Sequence, residues 1–470
     1  MTAGSYRLAL TGDVILNSRV SVCRDADVLA AVEPLRTAEV THAHLEIPLH
    51  DFGGADTFGA AEGALAWYRG PRYVAEELRW MGVDLVSTAS NHSLDYSYGG
   101  LRSTLGALDA VGLPHAGTGV DLAAARAPAF ADTAAARVAL VSATSSFPAF
   151  ARAGAARPDA PGRPGVSPLR YLHVLNDQDA ASLTSLAAAL GLWVVRDRDE
   201  FVVHPPGLHN SIRRFRVAGV ASPTTACDEA DLAGLAGSLR YAASVADLVI
   251  AHLHVQEWDG ADGRMLSTPA FAREFARAAV AAGAGAVLIQ GAHAPLRGIE
   301  VLDGVPVFYE PGPLFRLSRR EAQPHDFYTR WGNAPHVRSL DAGLLDAFGE
   351  RDAGKQVLSP AEGNAHHPGA FVPVCEVDQG THQVTRVALH PISWSTARRA
   401  TAGFPVRLAG ERAAEVLDRV AELSAPYGTR VTASGDTGWI AILGAARDPG
   451  RARTQVQQAL LSPAGSAARS

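Results

Sequence analysis

Two short segments concentrate residues that can do chemistry. The stretch "STASNHSLDYSYGGL", residues 87 to 101, sets Asn91 beside His92 just after an apolar run, and "AHLHVQEW" sets His252 and His254 two apart, with Glu257 beyond them. An amide and a neutral imidazole bind a metal ion without adding charge, and Asp95, three residues after His92, is placed to orient a ligating or proton-carrying ring. A polar turn with a capping Asn would explain the first segment without function. The second is harder to dismiss, because residues two apart on a strand point to the same face.

Three further residues repeat the pattern. Asp13 ends the run "LALTGD", Glu46 follows His42 and His44 in "THAHLEIPL", and His293 follows "GAVLIQGA". Asp13 as a helix cap and Glu46 in an alternating edge strand have ordinary readings alone, and His293 gains weight only from the company of the others. Together, Asp, Glu, Asn and several His describe a nitrogen- and oxygen-ligated divalent metal site, suited to Mn, Ca, Mg, Zn, Co or Fe, with no thiolate to demand zinc. The chain lacks a G-x-S-x-G elbow, a G-x-x-x-x-G-K-[ST] phosphate loop and a G-x-G-x-x-G turn, so no organic cofactor is expected.

Such residues need a scaffold. Short β-branched runs (RLALTGDVIL, VDLVSTAS, RVALVSATS, FRVAGVAS, DLVIAHLHV, GAVLIQGAH) alternate with Ala- and Leu-rich stretches, which predicts an α/β fold with buried sheets and outer helices. The segment TPAFAREFARAAVAAGA, residues 268 to 284, starts on Thr-Pro, keeps helical spacing and stops at Gly283, so it is a helix between two strands. The candidate residues all fall where strands end, the usual place for sites in open α/β sheets.

With 470 residues, the spacing suggests a main domain over 1–318 with an insertion near 150–214. A Pro-, Gly- and polar-rich connecting region or lid over 319–383, containing His366-His367, and a small α+β subdomain over 384–450 follow. That subdomain reads as strand, helix and hairpin, and residues 451–470 read as a frayed tail. The net charge of -6, without clustered Lys and Arg, argues against nucleic acid. No window holds the roughly 18 apolar residues that cross a bilayer, so a cytoplasmic protein with no membrane partner is expected. Cys23, Cys227 and Cys375 are too few and too scattered for a disulfide framework and are expected in the core. Arg213-Arg214 and Arg319 are placed to meet a substrate carboxylate, though solvated surface charge explains them as well.

The ordered set "LTGDVIL", "HLEIPL", "STASNHSLDYSYGGLRSTLGAL", "HAGTG", "ADLVIAHLHVQEW" and "GIEVLDGVPVFYEPG" resembles the CapA family, named for poly-γ-glutamate capsule synthesis and similar in fold to calcineurin-like metallophosphoesterases. The resemblance runs from about residue 7 to 315. It implies a four-layer αββα sandwich and a metal site lined by Asp13, Glu46, Asn91, His92, His254 and His293, with His252 close by. Two departures stand out. Gly291-Ala292-His293-Ala294-Pro295 replaces a paired-histidine run, and Tyr309-Glu310-Pro311-Gly312 replaces a Tyr-Ser-Leu-Gly-Asn segment, which favours one metal over two.

The chain further resembles soluble peptide epimerases of the MslH type, which mature lasso peptides. That resemblance implies inversion of a Cα centre, at a C-terminal Trp, in a ribosomal precursor peptide as substrate and partner. On this reading Asp13, Asn91 and His254 hold the metal, and His92, His252, His293 and Glu46 serve as further ligands or acid/base groups. The alternatives are a metal-dependent hydrolase of a phosphoester or γ-glutamyl amide and a protein that makes or binds poly-γ-glutamate.

Overall fold

The computed structural model describes residues 4–61, 66–207, 213–259, 267–293, 296–316, 323–324, 369–396, 398 and 400–442. The chain begins with four parallel strands, β1 (Ser5–Val14), β2 (Val40–Leu45), β3 (Leu85–Ser87) and β4 (His115–Ala116), which lie in that order in one sheet. Strands covered on both faces read as near-continuous buried runs, and every residue of β2 and β3 is buried. Helices α1 (Ala26–Thr37), α2 (Val74–Trp80) and α3 (Ser97–Ala110) connect them. Their Val28, Leu35, Leu78 and Leu108 pack against Ala43, Leu45 and Val86 on the outer face of the sheet.

A second sheet is built from β5 (Ala129–Asp132), β6 (Arg137–Thr144), β7 (Leu248–His254), β8 (Ala286–Gln290), β9 (Ile299–Leu302) and β10 (Val305–Phe308). Its spatial order is β9-β10-β8-β7-β6-β5, with the inner four strands parallel and the two edges antiparallel. Helices α4 (Glu229–Val245) and α5 (Ala270–Ala281) cover its outer face through Leu235, Leu239, Phe271 and Phe275. The helix expected from 268 to 284 is α5, and Gly283, at φ +106°, ends its last turn.

The inner faces meet in one cluster in which Leu8, Leu10, Val40 and Leu85 touch Leu140, Ile250 and Leu288. Each such fully buried aliphatic side chain contributes about 1.5–3 kcal/mol. Helices, sheet, sheet and helices thus form four layers, and the fold is the expected α/β sandwich.

Two strands extend the first sheet beyond β1. β11 (Ala370–Asp378) pairs antiparallel with β1, and β12 (Val384–Trp394) pairs with β11. Residues 370–378, inside the stretch expected to be irregular, are a strand because AFVPVC is a continuous buried run. Pro373 interrupts that run where it costs little, since the ladder with β1 ends at Val374. The hairpin of Thr432–Ser434 and Thr437–Ala441 adds to β12, and α6 (Glu411–Ser424) sets Val416, Leu417 and Val420 into the inter-sheet cluster. The strand, helix and hairpin read after Val384 therefore belong to the same sandwich.

The insertion carries a sheet of its own, and the run FRVAGVAS, expected among the strands of the main alternation, belongs to it. Strands Tyr171–Leu175, Trp193–Asp197, Glu200–His204, Arg213–Val217 and Thr224–Cys227 form a separate sheet beside the helix Asp177–Ala189, so this unit runs past Arg214 to Cys227. Arg170 and Arg214 tie it to Asp228 and Asp231 at the start of α4. All three cysteines are buried and free. The tail 451–470 and the stretch 325–368, with His366-His367, lie outside the described residues, as does Arg319.

Candidate metal centre

The carboxyl ends of β1, β2, β3, β7 and β8 converge between the sheets. Asp13, near the end of β1, is fully buried and accepts a hydrogen bond from Gln290 Nε2 at 3.1 Å, from the last residue of β8. His44 on β2 points Nε2 at Asp13 Oδ1, 3.7 Å away, and His254, the last residue of β7, points Nδ1 at the same oxygen from 3.8 Å. His254 Nε2 lies 2.8 Å from Asn91 Oδ1, in the loop after β3.

His293 brings a second group together. Its Nδ1 is 3.3 Å from Asp13 Oδ2 and its Nε2 is 3.4 Å from Glu46 Oε1, so one ring spans two buried carboxylates. It does so from a left-handed backbone, φ +60°, that non-glycine residues seldom adopt. The loop before it is pinned from below. Glu310 Oε2 accepts from the backbone N–H groups of Gly291 and Ala292 at 2.9 and 2.8 Å, and its Oε1 accepts from Gly312 at 2.9 Å. Gly291 has φ +127°, and a Cβ there would lie 2.7 Å from the His254 ring, so only glycine lets the loop pass.

His92 and Asp95 form a separate dyad: Nδ1 is 2.6 Å from Asp95 Oδ2, and the ring stacks on Tyr68 with centroids 3.9 Å apart. His252 lies one layer deeper. Its ring stacks on His44 with centroids 4.4 Å apart, and its Nδ1 is 3.0 Å from Ser142 Oγ.

Of the residues read from the sequence, Asp13, Glu46, His254 and His293 share one pocket of donors. Asn91 borders it through His254, and His92 stands on the neighbouring loop. Glu257 instead accepts from Ser145 and Ser146, and Arg214 is paired with Glu200 and Asp228. His44 is the residue sequence reasoning missed. An alternating edge strand would explain VTHAHL without function, but β2 lies between β1 and β3 with packed layers on both faces, and His44 points at Asp13. The absence of any exposed residue in VTHAHL is explained only by an interior strand. Gln290 and Glu310 gave no signal beyond their neighbours.

Burial sets the electrostatics. It pushes the His42 and His254 rings down to about 3, with Asp13 opposing the shift at His254. Burial, then the neighbouring imidazoles, carries His44 and His252 well below the ordinary range. Burial first and Asp13 second raise the Glu46 carboxyl, and the same two causes bring Glu310 to about 7. His293 is the exception: burial opposes its charge, yet Glu46 and Asp13 on either side hold its pKa well above the ordinary value.

The donor set fits a divalent cation. Asp13, His44 and His254 present ligand atoms within 4.8 Å of one another, as do Asp13, Glu46 and His293. His44 Nε2 and His254 Nδ1 are buried without a hydrogen-bond partner, a costly arrangement for polar atoms unless something else occupies their lone pairs. A carboxylate with neutral imidazoles is the chemistry of such sites.

Fold and site together define an α/β sandwich with a candidate metal centre at the ends of its parallel strands. Residues 7–315 match the family described as bacterial capsule synthesis protein, PGA_cap, and the chain belongs to that family. It is also 30% identical over 440 residues to each of two proteins of Sinorhizobium fredii (strain NBRC 101917 / NGR234), the uncharacterized proteins y4sH and y4uA, with 93% of each chain covered. Among the described residues no helix is long and apolar enough to cross a membrane.

Proposed function

We propose that the chain is a divalent-metal-dependent hydrolase acting on a phosphoester or a γ-glutamyl amide. The observation that carries this reading is the fully buried group Asp13, His44 and His254, with two imidazole nitrogens that lack partners and converge on one carboxylate oxygen. An ion held by these residues would supply Lewis acidity toward a substrate oxygen and lower the pKa of a bound water. Gln290 holds the Asp13 carboxylate in place and Asn91 holds the His254 ring. His293, between Asp13 and Glu46, keeps a proton that a departing oxygen or nitrogen needs, and His92, oriented by Asp95, is a second proton carrier. Membership in a capsule-synthesis family supports a glutamyl substrate.

The test is release of nitrophenol or nitroaniline from p-nitrophenyl phosphate, its diester and γ-glutamyl-p-nitroanilide, with Mn, Zn, Mg, Co, Fe or Ca added in turn. Release with one of them, abolished in Asp13→Asn, is the expected result. No release with any metal overturns the reading.

One observation favours a second reading, peptide epimerisation of a precursor peptide. His92 and His293 stand on different loops, His92 held by Asp95 and His293 between Asp13 and Glu46, which gives the site two separate proton carriers. Deuterium entering a Cα position of a Trp-terminated peptide in deuterated water, without bond cleavage, would decide for it.

A further inference from the structure

Beneath the donor group lies a file of buried imidazoles, of which the proposed chemistry uses only His44. His42 and His44 occupy alternate positions of β2, with both rings facing the interior, and His252 lies against both, its centroid 5.6 Å from that of His42 and 4.4 Å from that of His44. One hydroxyl joins the first two: Ser87 Oγ, at the end of β3, is 2.9 Å from His42 Nε2 and 2.9 Å from His44 Nδ1. All three residues are fully buried. His44 Nε2, the nitrogen facing Asp13, and His42 Nδ1, at the far end of the relay, have no hydrogen-bond partner.

A serine hydroxyl owns one proton, and a neutral imidazole owns one as well. Ser87 therefore cannot donate to both rings. If it donates to His42 Nε2, His44 must donate its Nδ1 proton to Ser87, and its Nε2 is left as a bare lone pair aimed at Asp13. If it donates to His44 Nδ1, the His44 proton sits on Nε2 and faces the Asp13 carboxylate, while His42 must carry its proton on Nε2. If it accepted from both rings, its own buried O–H would be left without an acceptor, since the two imidazoles are the partners it has among the described residues. The two rings are thus held in the same tautomer, both Nδ1–H or both Nε2–H, and only the first arrangement lets His44 act as a ligand.

We infer that Ser87 is a positioning residue whose single hydroxyl couples the tautomers of His42 and His44, so that a cation at Asp13, His44 and His254 also fixes which nitrogen of His42 carries a proton. The inference rests on that donor group, as the proposed function does, but not on hydrolysis or epimerisation. The hydrogen bond to the remote nitrogen of a ligating imidazole fixes its tautomer and orientation, and losing it costs about 10- to 100-fold in metal affinity. His42 Nδ1 has no hydrogen-bond partner to fix that ring independently, so its tautomer follows Ser87.

The test uses full-length protein labelled with 15N-histidine and Zn2+ alone as the probe, with calorimetry for affinity and imidazole 15N shifts for tautomer. In wild type, Zn2+ should leave the His44 proton on Nδ1 and move His42 to its Nδ1–H form. In Ser87→Ala, Zn2+ should bind about 10- to 100-fold more weakly and the His42 signals should no longer respond. Ser87→Thr, which keeps the hydroxyl, should restore the response. Unchanged affinity and an unchanged His42 response in Ser87→Ala overturn the inference, as does wild-type Zn2+ binding that survives His44→Ala intact. Zn2+ binding with the tautomer response but no turnover of any substrate supports the inference while removing the proposed function.

Discussion

His254 Nε2 sits 2.8 Å from Asn91 Oδ1, a hydrogen bond between the last residue of β7 in one sheet and the loop after β3 in the other. The bond links the two sheets and leaves Nδ1 of the same ring facing Asp13. Asn91→Ala should lower metal affinity about 10- to 100-fold, the usual effect of losing a partner that orients a ligand. His254→Ala should lose the metal altogether. Calorimetric titration with Mn2+ or Zn2+ checks both, and an Asn91→Ala protein that binds as wild type does would show that the amide has no part in holding the ring.

Glu310 is the acid that anchors the loop carrying His293. Its carboxylate accepts three backbone N–H groups, two of them on one oxygen. Glu310→Gln keeps the shape but replaces one acceptor oxygen with an N–H2 donor, so at least one backbone N–H is left facing another donor. Hydrogen bonds to charged groups contribute about 1.5–3 kcal/mol each, and stranding a buried partner adds to the cost. The variant should lose about 2–4 kcal/mol in a urea unfolding experiment. A loss below 1 kcal/mol would mean that the loop holds its left-handed turn without the clamp.

The candidate metal centre was readable in the sequence to the extent that its residues end strands. Asp13, Asn91, His254 and His293 each follow an apolar run, and strand ends gather polar groups because the sheet below is too dry to hold them. His44 was not readable in this way, because alternation of His and apolar residues looks the same on an edge strand as on an interior one. What separates the two is pairing on both sides, and pairing is a property of the whole sheet. Ser87 and Gln290 were invisible for a related reason: they matter only through residues far off in sequence. Alternating strand and helix signals predicted buried sheets with outer helices, whereas the four layers came only from the family resemblance. The sheet in the insertion showed only through FRVAGVAS, because its strands are short, partly exposed and separated by polar residues.

Stability should fall as the solution is acidified below neutrality. A histidine whose pKa is depressed on folding stabilises the native state above its unfolded value near 6.5, and that contribution is lost as pH falls toward the folded value. For His42 and His254, brought to about 3 by burial, the window is roughly pH 6.5 to 3, with each ring worth about 1.4 kcal/mol per pH unit inside it. Glu46 and Glu310, raised by burial, act in the opposite sense: their contribution is present below the unfolded carboxyl value and fades as pH rises. The imidazoles outnumber the raised acids, so urea midpoints should drop between pH 6.5 and 5. His42→Leu should flatten that slope by about one proton. Midpoints that rise on acidification across this window would contradict the assignment of neutral buried rings.

His92 is held by Asp95 at 2.6 Å and by the face of Tyr68, away from the Asp13 oxygens that His44 and His254 approach. Under the proposed function His92 would be a proton carrier beside the metal and not one of its ligands. His92→Gln should therefore bind Mn2+ or Zn2+ with wild-type affinity while turnover of the productive substrate falls about 10²- to 10⁴-fold, the range expected when a general acid or base is removed. Asp95→Asn should keep the ring in place but free its tautomer, giving a smaller loss of turnover and, again, intact metal binding. The two variants separate the roles because affinity and turnover are measured independently. If His92→Gln loses the metal together with activity, the ring is a ligand, and the proton it was thought to carry must come from His293.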